Sequence, residues 1–106
     1  MKCKMQSLAL ALVAGGLLSA AAHANNIEAT MKSKSCFACH SMDKKLVGPS
    51  YKDIAAKYKA DKGAVSKLAV KIQKGGSGVW GAVPMPPNAV SEAEAKQMAE
   101  WVLKVK

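Results

Sequence analysis

The chain has 106 residues, with 16 basic and 7 acidic side chains and a formal charge of +9. That length supports one small domain and excludes a two-domain enzyme, a barrel or a doubly wound sheet. Half of the residues are apolar, but many of these are Ala, so the core is thin and calls for a disulfide, a metal or another staple.

Residues 1–24 read as a secretory signal peptide. Lys2 and Lys4 supply a positive start. An apolar run over 8–18 follows, broken only by Gly15 and Gly16, and Ala22-His23-Ala24 is a small-x-small cleavage site. A retained anchor is the alternative, but the run is shorter than the ~20 residues of a comfortable span. Cleavage after Ala24 leaves one domain over 25–106, with 82 residues, 14 Lys, 7 acidic groups and a formal charge of +7. No later stretch is apolar enough to insert stably in a membrane, so the expected destination is a bacterial periplasm. Cys3 leaves with the leader.

In the remaining chain helix signals dominate and strand signals are nearly absent. Asn25 and Asn26 are placed to cap a helix over 27–34. A Cys-rich segment follows at once, and 42–50 reads as loop with Gly48-Pro49 as a turn. Ser50 with Asp53 resembles a capping box and opens a helix over 51–58. After Gly63 a third helix runs over 64–74, with Val65, Leu68, Ala69 and Ile72 as its apolar stripe. Gly75 and Gly76 end it. The loop over 75–88 carries Gly78, Gly81, Pro84, Pro86 and Pro87, and loops of this length in small domains are often functional. Ser91 with Glu94 starts a last helix that reaches about Lys104. Its inner face is Ala95, Met98, Val102 and Val105, with Trp101 beside them. Glu92–Lys96 and Glu100–Lys104 are spaced as i,i+4 pairs. The expected fold is therefore all-α, with about four helices.

Cys36-Phe37-Ala38-Cys39-His40 is the attachment signature of c-type haem. Two thiols three positions apart can reach both vinyl groups of one porphyrin, and the imidazole that follows can turn under its iron. Three other chemistries use a Cys-x-x-Cys. A thioredoxin-like site needs a strand before it and a sheet around it, and neither is visible. Structural zinc needs four ligands, whereas 25–106 offers two Cys and one His. A disulfide between Cys36 and Cys39 would close a very short loop and anchor little.

His40 is the only histidine in 25–106, so a second donor to the iron must be another residue type, or that position is open. Met31 and Met42 lie too close to the attachment motif to return over the opposite haem face, and Met98 belongs to the apolar stripe of the last helix. Met85 stands in the Pro-rich loop, between Pro84 and Pro86, whose fixed φ reduces the freedom lost on ordering. It is the candidate sixth ligand; the alternative is a loop methionine packed on the core. A His/Met iron is low-spin and suited to electron transfer. An open sixth site would instead suit a haem enzyme or a gas sensor. No distal histidine is available for peroxidase-type acid–base work.

Through these motifs the chain resembles the small monohaem class I cytochromes c of bacterial respiration, of the c-551/c-552 type that donates electrons to haem cd nitrite reductase. The resemblance spans 25–106 and is carried by Cys36 to His40, Val47-Gly48-Pro49, Tyr51-Lys52-Asp53, Val79-Trp80-Gly81, Pro84-Met85-Pro86-Pro87-Asn88-Ala89-Val90 and Trp101-Val102-Leu103. It implies a class I cytochrome c fold wrapped around one covalent haem c, and a carrier rather than an enzyme. It implies that Cys36 and Cys39 hold the haem, that His40 and Met85 ligate its iron, and that the Pro49 carbonyl accepts the His40 ring N–H. By the same resemblance Trp80 gives its indole N–H to a haem propionate. Lys71 stands where relatives often carry Arg for that propionate, keeping the charge but not the planar fork. Asn88 corresponds to a donor to the Met85 sulfur. For Pro49 the alternative is a plain turn, for Trp80 pocket packing, for Lys71 a solvated charge, and for Asn88 a cap or turn.

The lysines are scattered over helices rather than gathered in a block, and nucleic acid is not an expected partner. Lys32, Lys34, Lys44 and Lys45 bracket the attachment motif in sequence, and Lys52, Lys57, Lys59 and Lys62 come from the next segment. A positive rim of these around a haem edge would steer an acidic redox partner; the alternative is a merely solvated lysine surface. The resemblance implies a monomer exchanging electrons with nitrite reductase, a cytochrome oxidase or a peroxidase on one side and a quinol-oxidising complex on the other.

Overall fold

The computed structural model describes residues 26–106, in five helices. These are α1 (Ile27–Ser33), α2 (Cys36–Cys39), α3 (Tyr51–Lys57), α4 (Ala64–Lys74) and α5 (Glu92–Leu103). The segment read as a leader, Cys3 and Asn25 lie outside the described residues. The only β-type pairings among the described residues are two isolated antiparallel bridges, His40–Lys45 and Gly76–Met85. The all-α architecture expected from the sequence is the one observed. The additional element is α2, a single turn that holds the two cysteines and is too short for periodicity to reveal.

The caps explain where the chain enters its helices. Ser50 and Ser91 both have extended backbone, and their hydroxyls accept from the N–H of Asp53 and Glu94. Each satisfies one of the orphan donors of a first helical turn, worth about 1 kcal/mol. At α5 the Ser91 hydroxyl also donates to the Glu94 carboxylate at 3.1 Å. The cap expected of Asn26 is not made. Its backbone is already helical (φ −93°, ψ −8°) and its side chain makes no cap bond, because that function needs a non-helical backbone.

Helix α5 is the spine. It packs most extensively on α4, and α1 and α3 both lie against it. Ala95, Met98, Ala99 and Val102 are its buried residues; of the inner face expected from the sequence, Val105 lies past the helix end and packs only partly on the core, and Ala99 is added. Ile27 and Met31 of α1 and Tyr51 and Ile54 of α3 complete the main cluster with Met98 and Val102. Each large apolar side chain removed from water there contributes ~1.5–3 kcal/mol. On α4, Ala69 is buried, whereas Leu68 and Ile72 are only partly buried and face a cavity. The apolar stripe thus serves two surfaces, the core and the cavity wall. The Glu92–Lys96 pair forms at 3.2 Å. No ion pair joins Glu100 to Lys104; both are exposed, where such a pair gains little over solvation.

Candidate functional site

The cavity has a volume of about 430 Å³ and is bounded by α2, α3, α4, α5 and the loop over 75–88. Cys36, Cys39, His40, Pro49, Lys71, Trp80 and Met85 all line it. Seven of the eight residues singled out from the sequence are therefore brought together from segments up to 49 positions apart. Asn88 is the exception.

Cys36 and Cys39 are the first and last residues of α2. Three positions on one helical turn put both thiols on the same side. Both are half-buried and unbridged. The chain reverses into this turn at Ser35, whose left-handed backbone (φ 64°, ψ 23°) is unusual for a residue other than Gly. Burial pushes the Cys36 thiol up, and the nearby Cys39 adds to this against a lowering hydrogen bond from its own backbone. That is the reverse of the depressed pKa of a thioredoxin-type nucleophile. Among the described residues no three of His, Cys, Asp and Glu cluster as a metal site would require.

His40 is fixed from two sides. Its Nδ1 lies 2.7 Å from the Pro49 carbonyl oxygen. A carbonyl only accepts, so Nδ1 carries a proton, and in the neutral imidazole the lone pair is on Nε2. From the other side Gly48 lies flat against the ring. A Cβ there would fall 2.6 Å from Cε1, 3.0 Å from Nδ1 and 3.2 Å from Nε2. The loop that delivers Gly48 and Pro49 is stitched to the Cys segment by Gly48 N–H to Cys39 O (2.8 Å) and Tyr51 N–H to Ser41 O (2.9 Å). Thiol turn, imidazole and supporting carbonyl therefore form one unit.

Tyr51, which no chemical motif of the sequence marks as a site residue, completes that unit. Its ring meets Phe37 and Trp101 edge-on at 5.3 and 5.2 Å, and lies 5.5 Å from the His40 ring. It is almost fully buried, and its hydroxyl has no hydrogen-bond partner. Burial pushes the phenol well above its ordinary range, and the charges of Cys36 and Cys39 act in the same direction. In the sequence it stood in a family motif and at the start of a helix, with no role of its own. Gly48 likewise belonged to a family motif but, before proline, read as a turn.

Met85 is held by a reciprocal pair of backbone bonds to Gly76, with Gly76 N–H to Met85 O at 3.0 Å and Met85 N–H to Gly76 O at 2.9 Å. Gly75, at φ +69°, makes this approach possible, because a Cβ on it would collide with the Met85 carbonyl. The far end of the loop is strapped to α4. Asn88 donates its side-chain amide to Ile72 O at 2.9 Å and, more weakly, to Pro86 O at 3.4 Å, and Gln73 Nε2 reaches Val90 O at 3.1 Å. The Asn88 amide thus has carbonyl partners rather than the sulfur of Met85. It satisfies a carbonyl near the C-terminal end of α4 that has no partner of its own within the helix.

Lys71 is half-buried, with its side chain passing beneath Gly76. Trp80 stands at the lip of the cavity, 43% exposed, with the Lys57 ammonium 5.5 Å from its ring centroid.

The donor set fits a c-type haem. Two free thiols share one helical turn beside an imidazole whose Nε2 lone pair is available. A soft thioether lines the same cavity, and Gly48 leaves the space that the His40 ring requires. When bound, this group supplies a one-electron iron couple, while the protein supplies attachment, ligands and burial.

Comparison with known proteins agrees. A family model described as cytochrome c matches residues 24–106. Cytochrome c-551 of Pseudomonas aeruginosa is 50% identical over 103 residues, covering 97% of this chain and 99% of its own. Cytochrome c-552 of Hydrogenobacter thermophilus is 58% identical over 79 residues, 74% of this chain and 81% of its own. The crystal structure of wild-type cytochrome c552 from Nitrosomonas europaea superposes with a TM-score of 0.70 at 51% identity, covering 74% of this chain and 99% of that one. On motif, cavity and kinship together, this chain belongs to the cytochrome c family, as a small class I member of the c-551/c-552 type: an electron carrier with one covalently attached haem c, and not an enzyme.

Proposed function

We propose that the protein is a periplasmic one-electron shuttle in which His40 and Met85 would be the two protein donors to the haem iron. The observation that carries this reading is the placement of Met85. Its backbone is pinned by Gly76 at 3.0 and 2.9 Å, and it lines the cavity that Cys36, Cys39 and His40 also line. The imidazole and the thioether come from separate segments, so the protein and not local sequence fixes their separation. A His/Met pair keeps iron low-spin and raises its potential relative to stronger donors. Cys36 and Cys39 are the attachment thiols, Pro49 orients His40, and Lys71 and Trp80 are the groups at hand for the haem's acidic edge. Asn88 acts on Met85 indirectly in this reading, by strapping the loop to α4.

Family membership implies a location outside the cytoplasm and redox proteins as partners. Residues 1–24 are, in this proposal, the cleaved leader that directs a monomer to the periplasm. Among the described residues no helix is long and apolar enough to cross a membrane. The finer partner assignment is electron delivery to nitrite reductase, a cytochrome oxidase or a peroxidase, with a quinol-oxidising complex upstream. Exposed Met42, Val47 and Val83, with exposed Lys34, Lys44 and Lys45 around the attachment turn, support docking at this face. Lys45 is tied to His40 by a backbone bridge.

Visible absorption tests the ligand assignment. The oxidised protein should show the weak iron–thioether band at the red end of the visible range, and Met85→Ala should abolish it while the haem stays attached. Met85→Ala should also lower the potential and open the iron to carbon monoxide. If the reduced wild type binds carbon monoxide as readily as the variant, the sixth site is open and the carrier reading of Met85 fails. Intact mass under denaturing conditions should give residues 25–106 plus one haem.

A further inference from the structure

Trp80 is the large aromatic side chain of the site that packing does least to hold. It is 43% exposed and sits at the tip of the loop over 75–88. The backbone tie within that tip is Gly78 N–H to Gly81 O at 2.8 Å, and a Cβ built on either glycine would meet nothing within 4 Å. One side chain from a rigid element does reach the ring. Lys57 is the last residue of α3, a helix anchored by buried Tyr51, Ile54 and Ala55. Its ammonium stands 5.5 Å from the Trp80 ring centroid, within the ~6 Å range in which a cation is attracted to an aromatic face, with indole the best acceptor.

We propose that Lys57 is a positioning residue, whose ammonium on the indole face holds Trp80 in place at the lip of the haem cavity. Its four-carbon stem spans from the end of α3 to the loop, and Lys57 itself is exposed. Lys71 has a different place, beneath Gly76 on the cavity wall. The two lysines thus approach the Trp80 region from α3 and α4, one on the ring and one beside the loop base. The contact itself needs no haem. Its consequence, an indole N–H kept aimed at the haem's acidic edge, rests on the role proposed above for Trp80.

The test uses the reduced, haem-loaded protein and nitrogen-15 relaxation of the two indole N–H groups. Trp101, on α5, is the internal control. In Lys57→Met the displaced population of the Trp80 indole should grow about two- to fivefold, the factor for a cation on an exposed ring. This reads as a lower order parameter for Trp80 alone. Lys57→Arg, which keeps charge and stacks on indole, should restore the wild-type value. An unchanged Trp80 order parameter in Lys57→Met overturns the proposal, as does a failure of Arg to rescue a change. Indole hydrogen exchange separates this from the haem-edge reading. If wild-type Trp80 exchanges like free indole while its order parameter still depends on Lys57, Lys57 positions the ring and only the propionate role is lost.

Discussion

Replacing Gly48 by Ala probes how tightly His40 is confined. The substitution is not a backbone test, since Gly48 is not among the residues with positive φ. It is a steric one. The new Cβ would stand 2.6 Å from His40 Cε1, about 1 Å inside the ordinary carbon–carbon contact distance of ~3.5–4.0 Å. The ring cannot retreat freely, because its Nδ1 is bound to Pro49 O at 2.7 Å, and a retreat of that size would stretch the bond beyond useful length. Overpacking costs ~1–3 kcal/mol and loss of the hydrogen bond ~1 kcal/mol. Reduced freedom of the unfolded chain offsets ~0.4–1 kcal/mol. The net loss should be about 1–3.6 kcal/mol. For a domain of this size that corresponds to a fall of roughly 4–29 °C in Tm. Guanidinium unfolding of the haem-loaded protein measures it, and the visible spectrum reports whether the imidazole has turned. Gly63→Ala is the control, because its nearest neighbour would lie at 3.4 Å. As a helix N-cap it should lose less than about 1 kcal/mol. If Gly48→Ala matches that control with an unaltered spectrum, His40 is not clamped between Gly48 and Pro49.

Tyr51→Phe removes a buried hydroxyl that has no partner, so denaturant unfolding should show a neutral change or a gain of up to ~1–3 kcal/mol; a loss above ~1 kcal/mol would mean that the hydroxyl is satisfied in the haem-loaded protein. Asp61 is held below the usual carboxylate range by its 2.7 Å hydrogen bond to Lys67 and by the Gly63 N–H. Its contribution to stability is therefore full above the unfolded carboxylate pKa of about 4 and is lost as pH falls through the lowered folded value. Thermal unfolding of wild type and Asp61→Asn should differ at neutral pH and converge in acid, and a gap that persists at low pH refutes the assignment. Second-order electron transfer to an acidic redox protein should slow with added salt as the Debye length falls to ~8 Å at 0.15 M. In stopped flow, Lys34→Glu and Lys45→Glu should reduce the low-salt rate more than Lys104→Glu, and equal effects would remove the docking patch.

Periodicity and capping chemistry made most of this fold legible in the sequence. The apolar spacing of α4 and α5 and the serines before α3 and α5 are local signals, and both serines accept the N–H expected of them. The attachment turn and its imidazole were legible because their chemistry is local too. What escaped depends on distant neighbours. Asn26 had the right residue type for a cap, but the chain enters α1 with helical backbone and leaves it no such role. Asn88 lies within three residues of Met85 in sequence, yet its amide turns to Ile72, sixteen positions away. Tyr51 gains its place from Phe37 and Trp101, fifty positions from it on one side. Gly48 matters only because the His40 ring folds back onto it. Pro49 and Lys71 were reached through family resemblance rather than through spacing.

The reciprocal bond pair between Gly76 and Met85 closes the loop at its neck, so the eight residues over 77–84 form a bight whose length is decoupled from the position of the thioether. Closing a longer bight costs little, since each doubling of a flexible loop adds only ~0.6 kcal/mol of closure entropy. Residues inserted or deleted at the tip should leave Met85 where Gly76 holds it, while anything that disturbs Gly75 or Gly76 moves it at once. Variation among such proteins can therefore reshape the rim that a partner meets without re-registering the donor behind it. The neck sets the place of the thioether, and the tip, Trp80 apart, is free to diversify.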